Sequence, residues 1–279
     1  MKIFLTGGTG FIGSHFINLA IEHGHNIIAL KRTGAQPRVP LKVEPEWLIG
    51  NLDEEFAEIF DEVDVFVHLA AHSANYPYDS LNNCLYWNLT STVRLIQSAA
   101  FCGVNRFIIA GSCFEYGKSC DRIQELNIDS PLEPTNSYSI SKAASSIALL
   151  GLARELGLEL KLLRIFQVYG EGEQASRFWP ALKKAALSGT DFHMTKGEQL
   201  RDFISVKDVA RQFDAALDFS QINSGYPLIK HVATGKSQRL IEFANHCWKE
   251  WGARGRIIND KLPYRKDELM RITTSSNAI

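Results

Sequence analysis

The chain sets Thr6-Gly7-Gly8-Thr9-Gly10-Phe11-Ile12-Gly13 between a buried apolar run at 3–5 and an amphipathic stretch at 11–23. That order restricts the local fold to a strand, a tight turn and a helix. Gly7 suits the turn, Gly10 lets backbone approach a pyrophosphate, and Gly13 lets the helix pack closely on the sheet. Amides at such a helix start face an anion, with the macrodipole behind them. Three glycines at this spacing also occur in plain strand-to-helix turns. The position of this one, at the opening of a βαβ chain, favours a dinucleotide.

Apolar runs at 3–5, 27–30, 63–69, 107–110 and 160–165 alternate with helical patterns at 11–23, 82–102 and 137–155. The alternation predicts right-handed βαβ units and an α/β fold. The expected architecture is a doubly wound parallel, Rossmann-like sheet with a smaller α/β C-terminal substrate domain. Residues 1–167 with 204–235 make the expected dinucleotide-binding domain, and 168–203 with 236–279 the substrate-binding domain. The proline-bearing segments 33–46 and 125–136 read as loops, while 206–219 and 239–251 return to helical spacing. The polar stretch 273–279 is expected to fray.

Composition narrows the partners. Thirty basic and thirty-one acidic side chains leave a net charge of -1, so no global field recruits nucleic acid or an acidic membrane. No window approaches the ~20 apolar residues of a membrane span, and the apolar run at 1–5 is too short for a signal core. Five cysteines without a C-x-x-C pair argue against a disulfide framework or a zinc site. A reducing, cytoplasmic setting is the expectation.

The second strand ends Leu30-Lys31-Arg32-Thr33, where an NAD site usually carries an acid for the ribose diol. Arg32 can fork onto a 2′-phosphate instead, so NADP(H) is preferred and NAD(H) remains possible. Lys31 and Arg32 also read as two solvated charges at a strand end. Farther on, Tyr138 and Lys142 stand at i and i+4 on one helix face. An ammonium beside a phenol favours the phenolate and pulls its pKa down from ~10. Ser112, at a strand end, is placed to bond the same substrate oxygen.

With these residues together, the chain resembles the extended short-chain dehydrogenase/reductases, the group of nucleotide-sugar epimerases, dehydratases and ketoreductases. The likeness runs through 6–13, His68-Leu69-Ala70-Ala71, Asn88, Ser112, Tyr138/Lys142, 164–170 and 197–208. It implies catalysis by Ser112, Tyr138 and Lys142. It implies cofactor contacts at Gly7, Thr9, Gly10, Phe11, Ile12 and Gly13, then at Lys31, Arg32, Asn51 and Leu52. Leu69, Ala70, Ala71 and Val168, with Tyr138 and Lys142, complete that set. Substrate contacts are implied at Asn88, Cys113, Gln167, Arg177, Trp179, Arg201 and Arg265. Of these, Arg201 matches the family's pyrophosphate grip, Arg265 looks like a second phosphate ligand, and Arg177 and Trp179 lie near a plausible base pocket.

Departures from the family pattern narrow the reaction. The Asp-Glu pair of the 4,6-dehydratases is Cys113 and Phe114 here, which argues against elimination. Cys113 reads better as a packed thiol. Gln167 stands where many members carry Asn, and Asn51 replaces an Asp yet keeps an acceptor for adenine. The expectation is an NADPH-dependent 4-ketoreductase of a nucleotide-diphosphate sugar, similar to abequose- or 6-deoxytalose-type synthases. The alternative is a 4-epimerase that retains NAD; a non-catalytic NADP-sensing protein is disfavoured because Ser112, Tyr138 and Lys142 are all present. The resemblance also implies a homodimer through helices at 82–102 and 137–155. It implies an abbreviated substrate domain, because the chain ends soon after Arg271.

Overall fold

A computed structural model describes residues 1–275. Its strands are β1 (Lys2–Thr6), β2 (Asn26–Lys31), β3 (Glu46–Ile49), β4 (Val65–His68), β5 (Arg106–Ser112), β6 (Glu159–Ile165), β7 (Gln167–Tyr169), β8 (Phe192–His193), β9 (Leu200–Ser205), β10 (Leu228–Val232), β11 (Ser237–Arg239), β12 (Ile257–Ile258) and β13 (Arg271–Ile272). The helices are α1 (Phe11–Glu22), α2 (Ala57–Phe60), α3 (Leu81–Leu85), α4 (Thr92–Phe101), α5 (Ser119–Arg122), α6 (Ser137–Leu156), α7 (Phe178–Ser188), α8 (Val206–Ala215) and α9 (Leu240–Glu250).

One sheet holds seven strands in the order β10-β6-β5-β4-β1-β2-β3, every pair parallel. Successive strand residues point to opposite faces, and the two cores follow from that. Ile3 and Leu5 pack with Phe16, Ile17 and Ala20 of α1 and with Val209 and Phe213 of α8. Phe4, Phe66 and Phe107 face the other way, onto Leu95 and Ile96 of α4 and Leu149 and Ala153 of α6. With helices on both faces, the strands read as unbroken apolar runs. Strand order reverses between β1 and β4, and a crevice opens there beyond the carboxyl ends of the strands.

Three strands of this sheet escape the apolar pattern, and one of them, β6, carries buried Lys161 and Arg164 among its leucines. β3 is a part-exposed edge that begins directly after Pro45, and β10 carries Lys230 and His231 in its middle. The chain leaves the large sheet at Phe166 and enters a second one as β7. There β9 pairs β11 on one side and β13 on the other, with β7 joining farther along. The crossing brings Gln167 and Val168 to the crevice.

The expected helix at 82–102 is broken into α3, a π-helical segment at Tyr86–Ser91, and α4. Such insertions cluster at functional sites. Here the wider turn presents Asn88 inward, where it bonds the backbone of His72 and the hydroxyl of Ser141. Fraying from 273 is also corrected. Thr273 and Thr274 are buried, and their hydroxyls donate to the carbonyls of Gln124 (2.6 Å) and Leu126 (2.8 Å). The rest of that expectation, at 276–279, lies outside the described residues. Among the described residues, no helix is long and apolar enough to cross a membrane.

Candidate active site

The glycine turn has little room for side chains. Gly7 sits at φ 77°, and a Cβ on it would lie 2.5 Å from the Ala70 nitrogen. A Cβ on Gly13 would lie 2.1 Å from the Gly7 carbonyl oxygen. Gly10 caps α1 with extended backbone and no side-chain cap, so first-turn amides keep their donors for an anion. This bare cradle fits the pyrophosphate of a dinucleotide. From it a cleft of about 1030 Å³ runs along the strand ends. Its walls include Thr9, Phe11, Ile12, Lys31, Arg32, Asn51, Leu52, Leu69, Ala70, Ala71 and Val168.

The far part of the cleft brings Ser112, Tyr138 and Lys142 together. Ser112 ends β5, and its Oγ accepts the Phe114 amide at 3.2 Å. α6 starts on a reciprocal cap, in which the Asn136 side chain takes the Ser139 amide and the Ser139 hydroxyl takes the Asn136 amide. The cap fixes the first turn, and hence where Tyr138 points. One turn on, Lys142 is buried and donates to the Ala110 carbonyl at 2.7 Å.

The electrostatics correct one expectation. Burial pushes the Tyr138 phenol well above its ordinary pKa, the hydrogen bond with Ser112 opposes the rise, and Glu115, Cys113 and Tyr78 add to it. The Lys142 ammonium is anchored on the Ala110 carbonyl. Burial lowers the Lys142 pKa, and the Glu115 charge opposes this. The raised pKa favours the protonated phenol.

At the other end, the Lys31 ammonium lies 4.5 Å from the Trp47 ring centroid, while Arg32 is exposed on the cleft wall. Asn51 gives its amide hydrogen to Glu54 at 3.1 Å, which leaves its carbonyl oxygen to accept. Gln36, Pro37 and Arg38 also line this end. Sequence reasoning passed over them as loop; a third basic residue six positions after Arg32 was the available signal.

The residues expected at the substrate divide. Gln167 and Arg177 line the cleft, whereas Asn88, Cys113, Trp179, Arg201 and Arg265 are not among its lining residues. Asn88 is spent on His72 and Ser141. Cys113 packs with Tyr116, Cys120 and Leu126, and burial pushes its thiol far up. Trp179 turns onto Trp251 and Tyr169 beneath α7, since an indole gains more from burial than from a rim. Arg201 is 7% exposed; it pairs with Glu268 at 2.9 Å and donates to the carbonyls of Leu200 and Leu269. A phosphate would have to displace Glu268 to reach it. Arg265 is exposed over the Tyr76 ring at 4.6 Å.

Two features here were not read from the sequence. The Tyr78 ring stacks on Tyr138 at 6.1 Å and 9°, and Arg265, Arg177 and Glu268 surround its hydroxyl electrostatically. Across the mouth, Arg177 donates to Asn75 at 2.6 Å and pairs with Glu173 at 2.8 Å, and Asn75 donates to Gln174. Burial raises the Glu173 carboxyl to about 7, against the pull of Arg177. The Tyr-Pro-Tyr of 76–78 was the visible signal for the first. The second depends on loops about 100 residues apart and left none.

A doubly wound sheet, a glycine cradle and a Ser/Tyr/Lys set at one cleft define an oxidoreductase of the extended short-chain dehydrogenase type. The profile of the NAD dependent epimerase/dehydratase family matches residues 3–226, and the chain belongs to that family. It is 23% identical over 265 residues to a UDP-glucose 4-epimerase of Corynebacterium glutamicum, covering 88% of this chain and 79% of that one. It is 27% identical over 273 residues to the CDP-abequose synthase of Salmonella muenchen, covering 96% and 87%. The structure of MoeE5 in complex with UDP-glucuronic acid and NAD superposes with a TM-score of 0.82 at 25% identity, covering 98% and 89%.

Proposed function

We propose that the chain reduces a 4-keto sugar carried on a nucleoside diphosphate, with NADP(H) as its cofactor. The observation that carries this reading is the half-buried Tyr138 beside Ser112 in the cleft, with desolvation holding its phenol's pKa up and so favouring the protonated form. A carbonyl that accepts a hydride needs a proton on oxygen in the same step, and a positioned phenol supplies it. Bound NADPH would supply the hydride to the sugar C4. Ser112 polarises the carbonyl, Tyr138 gives its proton to the developing alkoxide, and Lys142 holds positive charge behind them. The glycine cradle holds the cofactor's pyrophosphate, and Arg32, with Arg38 nearby, faces its adenosine end. Cys113 and Phe114 provide no acid pair for elimination. A second reading, a 4-epimerase that retains NAD, is favoured by the UDP-glucose 4-epimerase among the relatives. A homodimer is proposed through α4 and α6, whose Phe101 and Ile147 are exposed apolar side chains.

Mass spectrometry of the cofactor released from purified protein separates the two readings: tightly held NAD supports the epimerase, loosely held NADP(H) the reductase. Arg32→Ala is expected to weaken NADPH by roughly 1.5–3 kcal/mol, the scale of a charge-assisted bond, and to leave NADH almost unchanged. Fluorescence titration with both cofactors measures this, and equal losses would assign Arg32 to the fold.

The diphosphate has its proposed partners in Arg177, on the cleft wall, and Arg265, at the Tyr76–Tyr78 loop. Binding energy from this remote group holds the keto carbon in place. UDP-, CDP- and dTDP-linked 4-keto-6-deoxyglucose should therefore be far better substrates than the matching 1-phosphate. Comparable kcat/KM on both would end the nucleotide-sugar assignment.

A further inference from the structure

We infer that Glu115 is a positioning residue for this site, fixing the strand end that carries Ser112 and acting as counter-charge to Lys142. The inference rests on the reading of Tyr138 as proton donor. Glu115 has no exposed surface and lies in the 3-10 turn Cys113–Tyr116 directly after β5. One carboxylate oxygen, Oε1, accepts the backbone amide of Ser112 at 2.8 Å; the other accepts Arg164 Nε, from β6, at 3.0 Å. Room for the pair comes from Gly111, where a Cβ would stand 3.0 Å from both Glu115 Oε1 and Arg164 Cγ.

The bonds beyond Arg164 have a fixed direction. Arg164 Nη1 donates to the Tyr116 hydroxyl at 2.8 Å and to the Ile128 carbonyl at 3.1 Å. Tyr116 accepts from Arg164, so its own proton goes to His231 Nε2, at 2.6 Å. Burial holds His231 neutral, with a pKa lowered to about 4, which puts its remaining proton on Nδ1 facing Thr274 Oγ1 at 3.1 Å. Thr274 in turn donates to the Leu126 carbonyl. The turn that presents Ser112 is thus tied through Arg164 to β10 and the chain segment after β13.

An ion pair this deep adds little stability over an apolar pair of the same shape. Its consequence here is orientation and charge. The Ser112 amide is held by Glu115, and Ser112 Oγ accepts from Phe114, so the serine hydroxyl proton points away from the turn. Lys142 donates to a neutral carbonyl, and a buried ammonium needs a counter-charge. The groups facing Glu115 are Arg164 from β6, Tyr138 and Lys142 from α6, and Cys113 and Tyr116 from its own turn.

Glu115→Gln alone strands the Arg164 charge and risks unfolding, so it is paired with Arg164→Met, which removes both charges at similar volume. The double variant is expected to fold and to bind NADPH within about 2-fold of wild type. Its kcat should fall by at least ~10-fold with KM within about 2-fold, the split expected when an interaction acts in the reacting complex. The basic limb of its kcat–pH profile should move to lower pH, because of the two charges removed it is Glu115 that raises the phenol. A folded double variant with unchanged kcat and unchanged profile overturns the inference. Failure of both variants to fold overturns it as well, since the pair would then be a requirement of the fold. Tyr138→Phe is assayed alongside. If it is active, the proton-donor reading itself fails; if it is inactive while the double variant is normal, only the role of Glu115 fails.

Discussion

Tyr138→Phe is expected to lose at least ~100-fold in kcat, the scale of a missing general acid, while NADPH binding stays near wild type. The substitution deletes one oxygen. It keeps the ring that stacks on Tyr78, and it leaves Lys142 on the Ala110 carbonyl and the reciprocal cap of α6 untouched. Ser112 loses its phenolic partner but keeps the amide of Phe114. Steady-state kinetics with the best of the three keto-sugar nucleotides, together with a cofactor titration, separates loss of chemistry from loss of binding. Turnover within a few-fold of wild type would mean that another group delivers the proton.

Gly13→Ala should nearly abolish cofactor binding, raising Kd by at least ~100-fold. The new Cβ falls 2.1 Å from the Gly7 carbonyl oxygen and 2.8 Å from the Gly8 Cα. Both are backbone atoms of the turn, so no side chain can swing aside. α1 must move off the turn, and the amide cradle opens with it. Overpacking of this kind also costs about 1–3 kcal/mol of stability. Gly151→Ala is the matched control: it lies in α6 with nothing within 4 Å of an added Cβ, so helix propensity alone should stabilise it by ~0.5–1 kcal/mol. Isothermal titration and thermal melts measure both effects. Near-normal binding by Gly13→Ala would remove the cradle from the account.

Most of the large sheet was legible because its central strands are buried on both faces and are therefore dominated by Val, Ile, Leu and Phe, with Lys161 and Arg164 of β6 as buried exceptions. β10 was not, since Lys230 and His231 interrupt its run and owe their places to neighbours far along the chain. β3 was not, since an edge strand half open to water needs no apolar run. The gathering of Ser112, Tyr138 and Lys142 at one cleft was legible for local reasons: Tyr138 and Lys142 share a helix face at fixed spacing, and Ser112 ends a recognisable strand.

The direction of the phenol's pKa shift was misread, because spacing fixes which face two side chains share but not where their ends stop. Lys142 is held by the Ala110 carbonyl, and burial, which no local pattern reports, raises Tyr138. Arg201 likewise carried the right residue type in a matching segment, yet Glu268, 67 residues later, occupies its guanidinium. The sequence by itself thus determined the strands, the glycine turn and the local i, i+4 pair, all set by short-range sterics and periodicity. Only the tertiary structure decided which polar groups meet: Glu115 with Arg164, Arg201 with Glu268, Arg177 with Asn75. Those pairings depend on long-range packing and on how deeply each group is taken out of water.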